Sequence, residues 1–240
     1  MRSYARSVVV SHVAMHMSDG IVNAPVSMLF GVIALVAIGF CALRARTELD
    51  ERAVPLAGLV AAFVFAVQMV NFPILPGVSG HLLGGALAAI LVGPYTGALC
   101  IAIVLIVQAL LFADGGVTAL GTNIVNMGVI GVAAGYGTAV VLHALVRRRA
   151  AGSVPALGVI AFVAALVGTV CAAMGFVAEY AIGGAGGVSL GTVAAYMFGT
   201  HVLIGVGEGL ITAVTVMAVA RARPDLVYLL RSSREPVAAA

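Results

Sequence analysis

Few side chains in this sequence can do chemistry. Apolar runs fill most of it, and the ionisable groups within or beside them are His81, His143, His201, Glu179 and Glu208. Such groups are expensive in hydrocarbon and usually functional. His201 and Glu208 are seven residues apart, hence on one face of a helix. Asn123 and Asn126 lie three apart, as do Gln68 and Asn71. For these polar residues, hydrogen bonding between helices is the plain reading, and support of a site is the alternative. His143 precedes Arg147, Arg148 and Arg149 and reads as an interfacial residue near a helix end. His81 differs, because it lies in Pro76-Gly77-Val78-Ser79-Gly80-His81-Leu82-Leu83-Gly84-Gly85. Glycine on both sides lets the backbone fold back and approach closely. A second candidate is His16, in Met15-His16-Met17-Ser18-Asp19-Gly20. Two imidazoles in one place would hold a first-row metal ion.

The elements that position these residues must be membrane helices. Hydrophobic residues make up 62% of the chain and charged residues 9%, whereas soluble domains carry roughly 25% charged residues. Mean hydropathy is +1.19. The apolar runs lack the period-two alternation of barrel strands. They are long enough to cross a core about 30 Å thick, and in lipid a spanning backbone satisfies its polar groups as helix. The net charge is +3, but the twelve basic residues are all Arg, and most sit in short blocks between apolar runs. That pattern excludes a nucleic-acid face. Cys41, Cys100 and Cys171 are far apart and form neither a disulfide framework nor a zinc motif.

Seven segments are predicted, at about 26–44, 53–72, 80–93, 94–113, 121–146, 155–180 and 191–220. The third is short, and Gly93-Pro94 divides it from the fourth, so it is expected to be a partial span. Arg44, Arg46 and Arg52 follow the first segment, Arg147–Arg149 the fifth, and Arg221, Arg223, Arg231 and Arg234 the last. The links after the second, fourth and sixth carry no Arg. With seven segments, these three Arg-bearing regions fall on one face, which the positive-inside rule makes cytoplasmic; Arg2 and Arg6, in residues 1–14, do not fit and would sit on the outer face. The expectation is an all-α polytopic bundle of about seven helices, amino end outside and carboxyl end inside.

Several stretches together resemble the CbiM/NikM family, the substrate-binding membrane subunits of energy-coupling factor transporters for cobalt and nickel. They begin with Met15-His16-Met17-Ser18-Asp19-Gly20 and Pro25. They continue through Asn71-Phe72-Pro73, residues 77–85, and Gln108-Ala109-Leu110-Leu111-Phe112-Ala113-Asp114-Gly115-Gly116. Thr118 to Ile124, Asn126-Met127 and His201 to Gly209 complete them, so the resemblance covers nearly all of residues 15–220. The combination is specific, although any one stretch is weak. Met17 and Ser18 stand where the family often has other residues, and residues 1–14 have no counterpart.

The resemblance implies a metal site built on a free chain terminus. Its ligands would be the Met15 amine, the His16 backbone nitrogen, the His16 imidazole and the His81 imidazole. Asp19, Asn71, Asn123, Asn126, His201 and Glu208 are the candidates for supporting those ligands. Amine, adjacent amide and imidazole chelate in fused rings, and square-planar nitrogen suits nickel(II) or copper(II). Residues 1–14 are expected to be a non-native extension or a processed segment, since the chelate needs a free amine at Met15. Residues 15–25 would then be the metal-binding segment, 26–220 the bundle and 221–240 a cytoplasmic tail. The implied substrate is cobalt(II) or nickel(II), with no cofactor. The implied partners are a transmembrane coupling subunit, two ATPase subunits and a small auxiliary membrane subunit, in a prokaryotic cell membrane. The sequence has no lysine, so a Gly-x-x-x-x-Gly-Lys phosphate loop is absent from it. An intramembrane hydrolase using Ser189 or Ser79 with His201 or His81, and a membrane subunit without transport, are the competing classes.

Overall fold

The structure, a computed structural model, describes residues 16–51, 53–70, 72–75, 78–150, 153–185 and 187–231. Met15, Asn71 and residues 1–14, named above as ligand, supporting residue and extension, lie outside the described residues, as do Arg52 and Arg234.

The apolar runs are helices. α1 spans Ala24–Ala45, α2 Ala53–Gln68, α3 Gly85–Val92 and α4 Pro94–Leu111. α5 (Leu120–Asn123), a π-helical stretch (Ile124–Gly131) and α6 (Val132–Ala150) form one continuous rod. α7 spans Val154–Gly183 and α8 Leu190–Ala222. A 3-10 turn, Pro224–Leu226, and a last helical turn, α9 (Tyr228–Arg231), follow. Side chains and prolines set the helix starts. Asn23 accepts a hydrogen bond from Val26 N–H at the start of α1, and Ser153 and Ser189 cap α7 and α8 in the same way. Proline occupies the first turn of α1, α4 and α7, where a missing N–H costs little.

Among the described residues, five helices are long and apolar enough to cross a membrane: α1, α4, the rod from Leu120 to Val146, α7 and α8. α2 is shorter, with 16 residues. α3 has only eight, and every one is buried. It reaches about 12 Å at 1.5 Å per residue, well under half of a bilayer core. The expected partial span is therefore real, and it is sheathed in protein. α7 and α8 pack side by side, α6 lies on α7, and α3 is enclosed by α2, α4, α6, α7 and α8. α1 lies against α4 and α5 with its outward face apolar, Met28, Leu35, Val36 and Leu43 being mostly exposed. That is the distribution a lipid-facing helix needs.

One element departs from the all-helical expectation. A short antiparallel hairpin, β1 (Phe72–Leu75) and β2 (Val78–Gly80), links α2 to α3, with Phe72 opposite Gly80. His81 therefore precedes α3 in the irregular stretch between β2 and the helix, instead of opening the helix. The loops collect at two ends of the bundle. Residues 16–23 meet the end of α7 through a Val22–Gly184 bridge and a bond from Asn23 N–H to Gly183 O. At the other end, Glu48 reaches the start of α4, and Arg231 lies 3.3 Å from Asp50. The Arg-bearing link after α1 and the tail thus share one end, as the charge pattern requires.

Candidate metal centre

The site is built on backbone that leaves helical form deep in the bundle. Such backbone is tolerated in a membrane protein only where protein groups satisfy it. At residues 81–84 those groups come from two helices, α8 and α2, and α7 bonds the α8 carboxylate in turn. Glu208 of α8 accepts from Leu83 N–H and Gly84 N–H, both at 2.9 Å, and from the Thr169 hydroxyl of α7 at 2.8 Å. Gln68 of α2 donates to Leu83 O at 2.7 Å. A carboxylate at the first turn of α3 also faces the positive end of its dipole. Gly84 holds φ +80°, and a Cβ there would lie 2.9 Å from Val64 methyls. Only glycine fits this turn.

The loop so fixed delivers His81 to His16. Their ring centroids are 4.6 Å apart, and both residues are buried. His81 Nδ1 lies 2.9 Å from Leu82 O. A carbonyl can only accept, so Nδ1 carries the proton and Nε2 keeps the lone pair that can bind an ion. His16 Nε2 is buried with no hydrogen-bond partner among the described residues, and Nδ1 faces the Asp114 carboxylate at 3.4 Å. Buried polar atoms left without a partner call for a missing ligand. A cavity of about 410 Å³ opens beside the pair, lined by His16, Met17, His81, Asn123, Asn126 and His201 among others.

Residues 16–19 are pinned from the loop between α4 and α5. Asn123 brackets Met17, its Oδ1 accepting from Met17 N–H at 3.1 Å and its Nδ2 donating to Met17 O at 3.2 Å. Gly116 N–H also donates to Met17 O. A Cβ on Gly115 would lie 2.9 Å from His16 Cβ, and one on Gly116 would collide with Asp19. The Asp19 carboxylate accepts from the Thr118 hydroxyl and from the N–H groups of Thr118 and Ala119. The Thr118 hydroxyl, with the nearby backbone N–H groups, holds its pKa below the usual 3.8. A depressed carboxylate stabilises the fold above its unfolded pKa and loses that contribution as pH falls through the folded value. Metal release is therefore expected well before this anchor fails. Titrating bound metal from pH 8 downward should show release as protons displace the ion from its nitrogen ligands, and Asp19→Asn should weaken binding across that range, because residues 16–19 lose an anchor.

The structure brings the predicted residues together unevenly. His16 and His81 meet. Asn123, Asp19 and Glu208 each hold backbone that carries one of them. Asn126 lines the cavity and donates to Glu179 at 2.8 Å. His201 lines the cavity too, with Nδ1 tied to Met197 O of its own helix at 2.8 Å. Asp114, Gln68 and Thr169 also contribute; of these the sequence singled out only Gln68, read first as a residue bonding between helices and alternatively as support of a site. Asp114 had a signal: it is a charged residue in Ala113-Asp114-Gly115-Gly116, within a chain where charge is scarce.

Ser189 needs a separate word. Gly187-Val188-Ser189-Leu190-Gly191 has the spacing of a hydrolase nucleophile elbow. Here the serine is exposed and caps α8, with its hydroxyl engaged by Thr192. No described strand leads into it, so the pattern is a helix start.

A multi-pass bundle of long apolar helices, with two buried histidines brought together at one end of it, defines an integral membrane protein. Residues 16–226 match the family model of CbiM, the cobalt uptake substrate-specific transmembrane region, and the chain belongs to that family. A relative from Archaeoglobus fulgidus, proposed as a fused nickel transport protein NikMN, is 40% identical over 213 residues, covering 89% of this chain and 68% of that protein. The cobalt transport protein CbiM of Sorangium cellulosum is 34% identical over 92% of this chain and 97% of its own. A solved structure of a transition metal transporter shares the fold, with a TM-score of 0.73, 24% identity, and coverage of 87% of this chain and 93% of that one.

Proposed function

We propose that this chain is the substrate-capture subunit of an ATP-driven importer, taking cobalt(II) or nickel(II) at the outer face of a prokaryotic cell membrane. The carrying observation is the buried meeting of His16 and His81 beside a mostly apolar cavity. Family membership and the names of the relatives support the metal class. The ligands in this reading are the Met15 amine, the His16 amide nitrogen and imidazole, and the His81 imidazole. Asp19, Asn123 and Glu208 position them. The end of the bundle that carries the histidines faces outward, and the Arg-bearing end faces the cytoplasm, as the positive-inside rule assigns. A sequence without lysine holds no phosphate loop of the usual kind. Two ATPase subunits and a transmembrane coupling subunit, with a small auxiliary membrane subunit, supply the energy.

Two measurements test the proposal. Cobalt(II) or nickel(II) added to the purified chain should raise its unfolding temperature by mass action. No such rise, with either ion in large excess, would remove the substrate assignment. In liposomes, the chain without ATPases should give no concentrative uptake. A chain beginning at Met15 should bind tightly, and the same chain with one Ala placed before Met15 should bind much more weakly, because the amine becomes an amide. Equal affinities would eliminate the terminal amine as a ligand.

A further inference from the structure

We infer that residues 224–231 form a strap that holds the Val92 end of α3, and that unseating this strap opens the His81 turn at the other end of the same helix. The tail thereby controls how firmly the site is closed. Its effect on a bound ion rests on the reading of His16 and His81 as ligands; its effect on the turn does not.

The strap begins where α8 ends. Pro224 follows close on the last helical residue, Ala222, and Leu226-Val227-Tyr228-Leu229-Leu230 is an apolar run of five. Such a run is far too short to cross a membrane, yet it is drawn into the protein. Val227 is 0% exposed and Leu229 1%, and both belong to the same buried cluster as Ala86 to Val92 of α3. α9 lies against α3, and the Tyr228 ring stands 6.2 Å from that of Tyr136 on α6.

A polar tie closes the strap. Arg231 Nε donates to Asp225 O at 3.1 Å, and Arg231 Nη1 lies 3.3 Å from Asp50 Oδ2. Asp50 is two residues from Glu48, whose buried carboxylate accepts from Tyr95 N–H and Thr96 N–H at the start of α4. A Cβ on Gly93, the residue between α3 and α4, would lie 2.5 Å from the Glu48 carboxyl carbon. The strap and the link between α1 and α2 thus make one floor beneath α3.

The floor matters because α3 is short. Its eight residues make about two turns, one stiff piece of about 12 Å. One end rests on the floor. The other begins just after Leu83 and Gly84, whose N–H groups Glu208 holds. A shift at the first end is carried to the second, and His81 stands three residues before Gly84. The strap is the part most easily moved. It consists of one 3-10 turn and one helical turn. A cavity of about 480 Å³, lined by Pro55, Leu56, Leu59, Arg223 and Leu226, leaves it open on the α2 side. The Arg231–Asp50 pair is partly exposed, and such pairs contribute little. Short elements with solvent on one side open at less cost than the long helices of a core.

The test is Leu229→Ala in the full chain, read first by hydrogen exchange without metal. The substitution leaves a cavity at the strap's seat. Amides of residues 82–92 should exchange about tenfold faster or more, as local opening becomes easier, while those of α7 keep the wild-type rate. Cobalt(II) affinity should fall about 10–100-fold, the range for groups that position ligands. Wild-type exchange at residues 82–92 would overturn the inference. Equal acceleration in α3 and α7 would overturn it too, by making the tail ordinary core packing. Faster exchange with unaltered cobalt(II) affinity, in a protein whose His81→Ala variant has lost binding, would refute control of the site. If Leu229→Ala fails to fold, Val227→Ala is read by the same criteria. A His81→Ala chain that binds cobalt(II) as wild type does would instead sink the ligand reading, and the exchange rates would still decide the strap.

Discussion

His81→Ala is expected to abolish tight binding of cobalt(II) and nickel(II) while leaving the helical bundle intact. His81 is held in place by its backbone, which Glu208 and Gln68 anchor through Leu83 and Gly84. Removing the imidazole disturbs none of those bonds. Changes to groups that merely orient ligands typically cost 10–100-fold in affinity, so losing a ligand should cost at least about that. Isothermal titration of the purified variant, beside its circular dichroism spectrum, makes the measurement. His143→Ala is the control. His143 lies 16 residues past Met127 along the same rod, about 24 Å from the cavity at 1.5 Å per residue, and its removal should leave binding unchanged. Near-normal affinity in His81→Ala would refute the assignment.

The second large effect is expected at Glu208, which touches no ion. Its carboxylate satisfies two backbone N–H groups and one hydroxyl in a buried setting. Glu208→Ala leaves all three without a partner, at about 1–3 kcal/mol each. A lower unfolding temperature in detergent should accompany weaker nickel(II) binding, because the turn that carries His81 loses its hold. Glu208→Gln keeps one acceptor oxygen but turns an amide N–H toward backbone donors, so its stability should fall between wild type and Glu208→Ala. If Glu208→Ala unfolds at the wild-type temperature, the carboxylate is not the anchor described.

Much of this was legible in the sequence, for identifiable reasons. Spanning helices declare themselves through length and hydropathy, and Gly93-Pro94 marked the break after the short third segment. Arg44, Arg46 and the tail arginines predicted a shared end, which the Arg231–Asp50 contact now displays. His81 stood out by its glycine-rich surroundings and His16 as a second histidine, and their pairing as ligands came through resemblance, not periodicity. What stayed hidden depends on tertiary geometry. Asn123 and Asn126 look like one helical face at a spacing of three, yet one grips Met17 and the other meets Glu179. The reason is the π-helical stretch that begins at Ile124, where the wider turn rotates successive side chains away from an α-helical count. Likewise the seven-residue spacing of His201 and Glu208 gave their face but not their tasks. Glu208 reaches the turn before α3, while His201 lines the cavity with its ring tied to its own helix.

The half-length helix α3 has a consequence for how the protein is made. Eight residues cannot settle across a bilayer by themselves, and the Leu83 and Gly84 N–H groups of the turn before them are satisfied, among the described residues, by Glu208, 125 residues later than Leu83. While a ribosome is still adding α4 to α7, that turn has no acceptor and His81 no fixed address. The binding centre can therefore close only after α8 has been synthesised and has entered the bundle. A nascent chain stopped before residue 208 would carry both histidines and still lack the site.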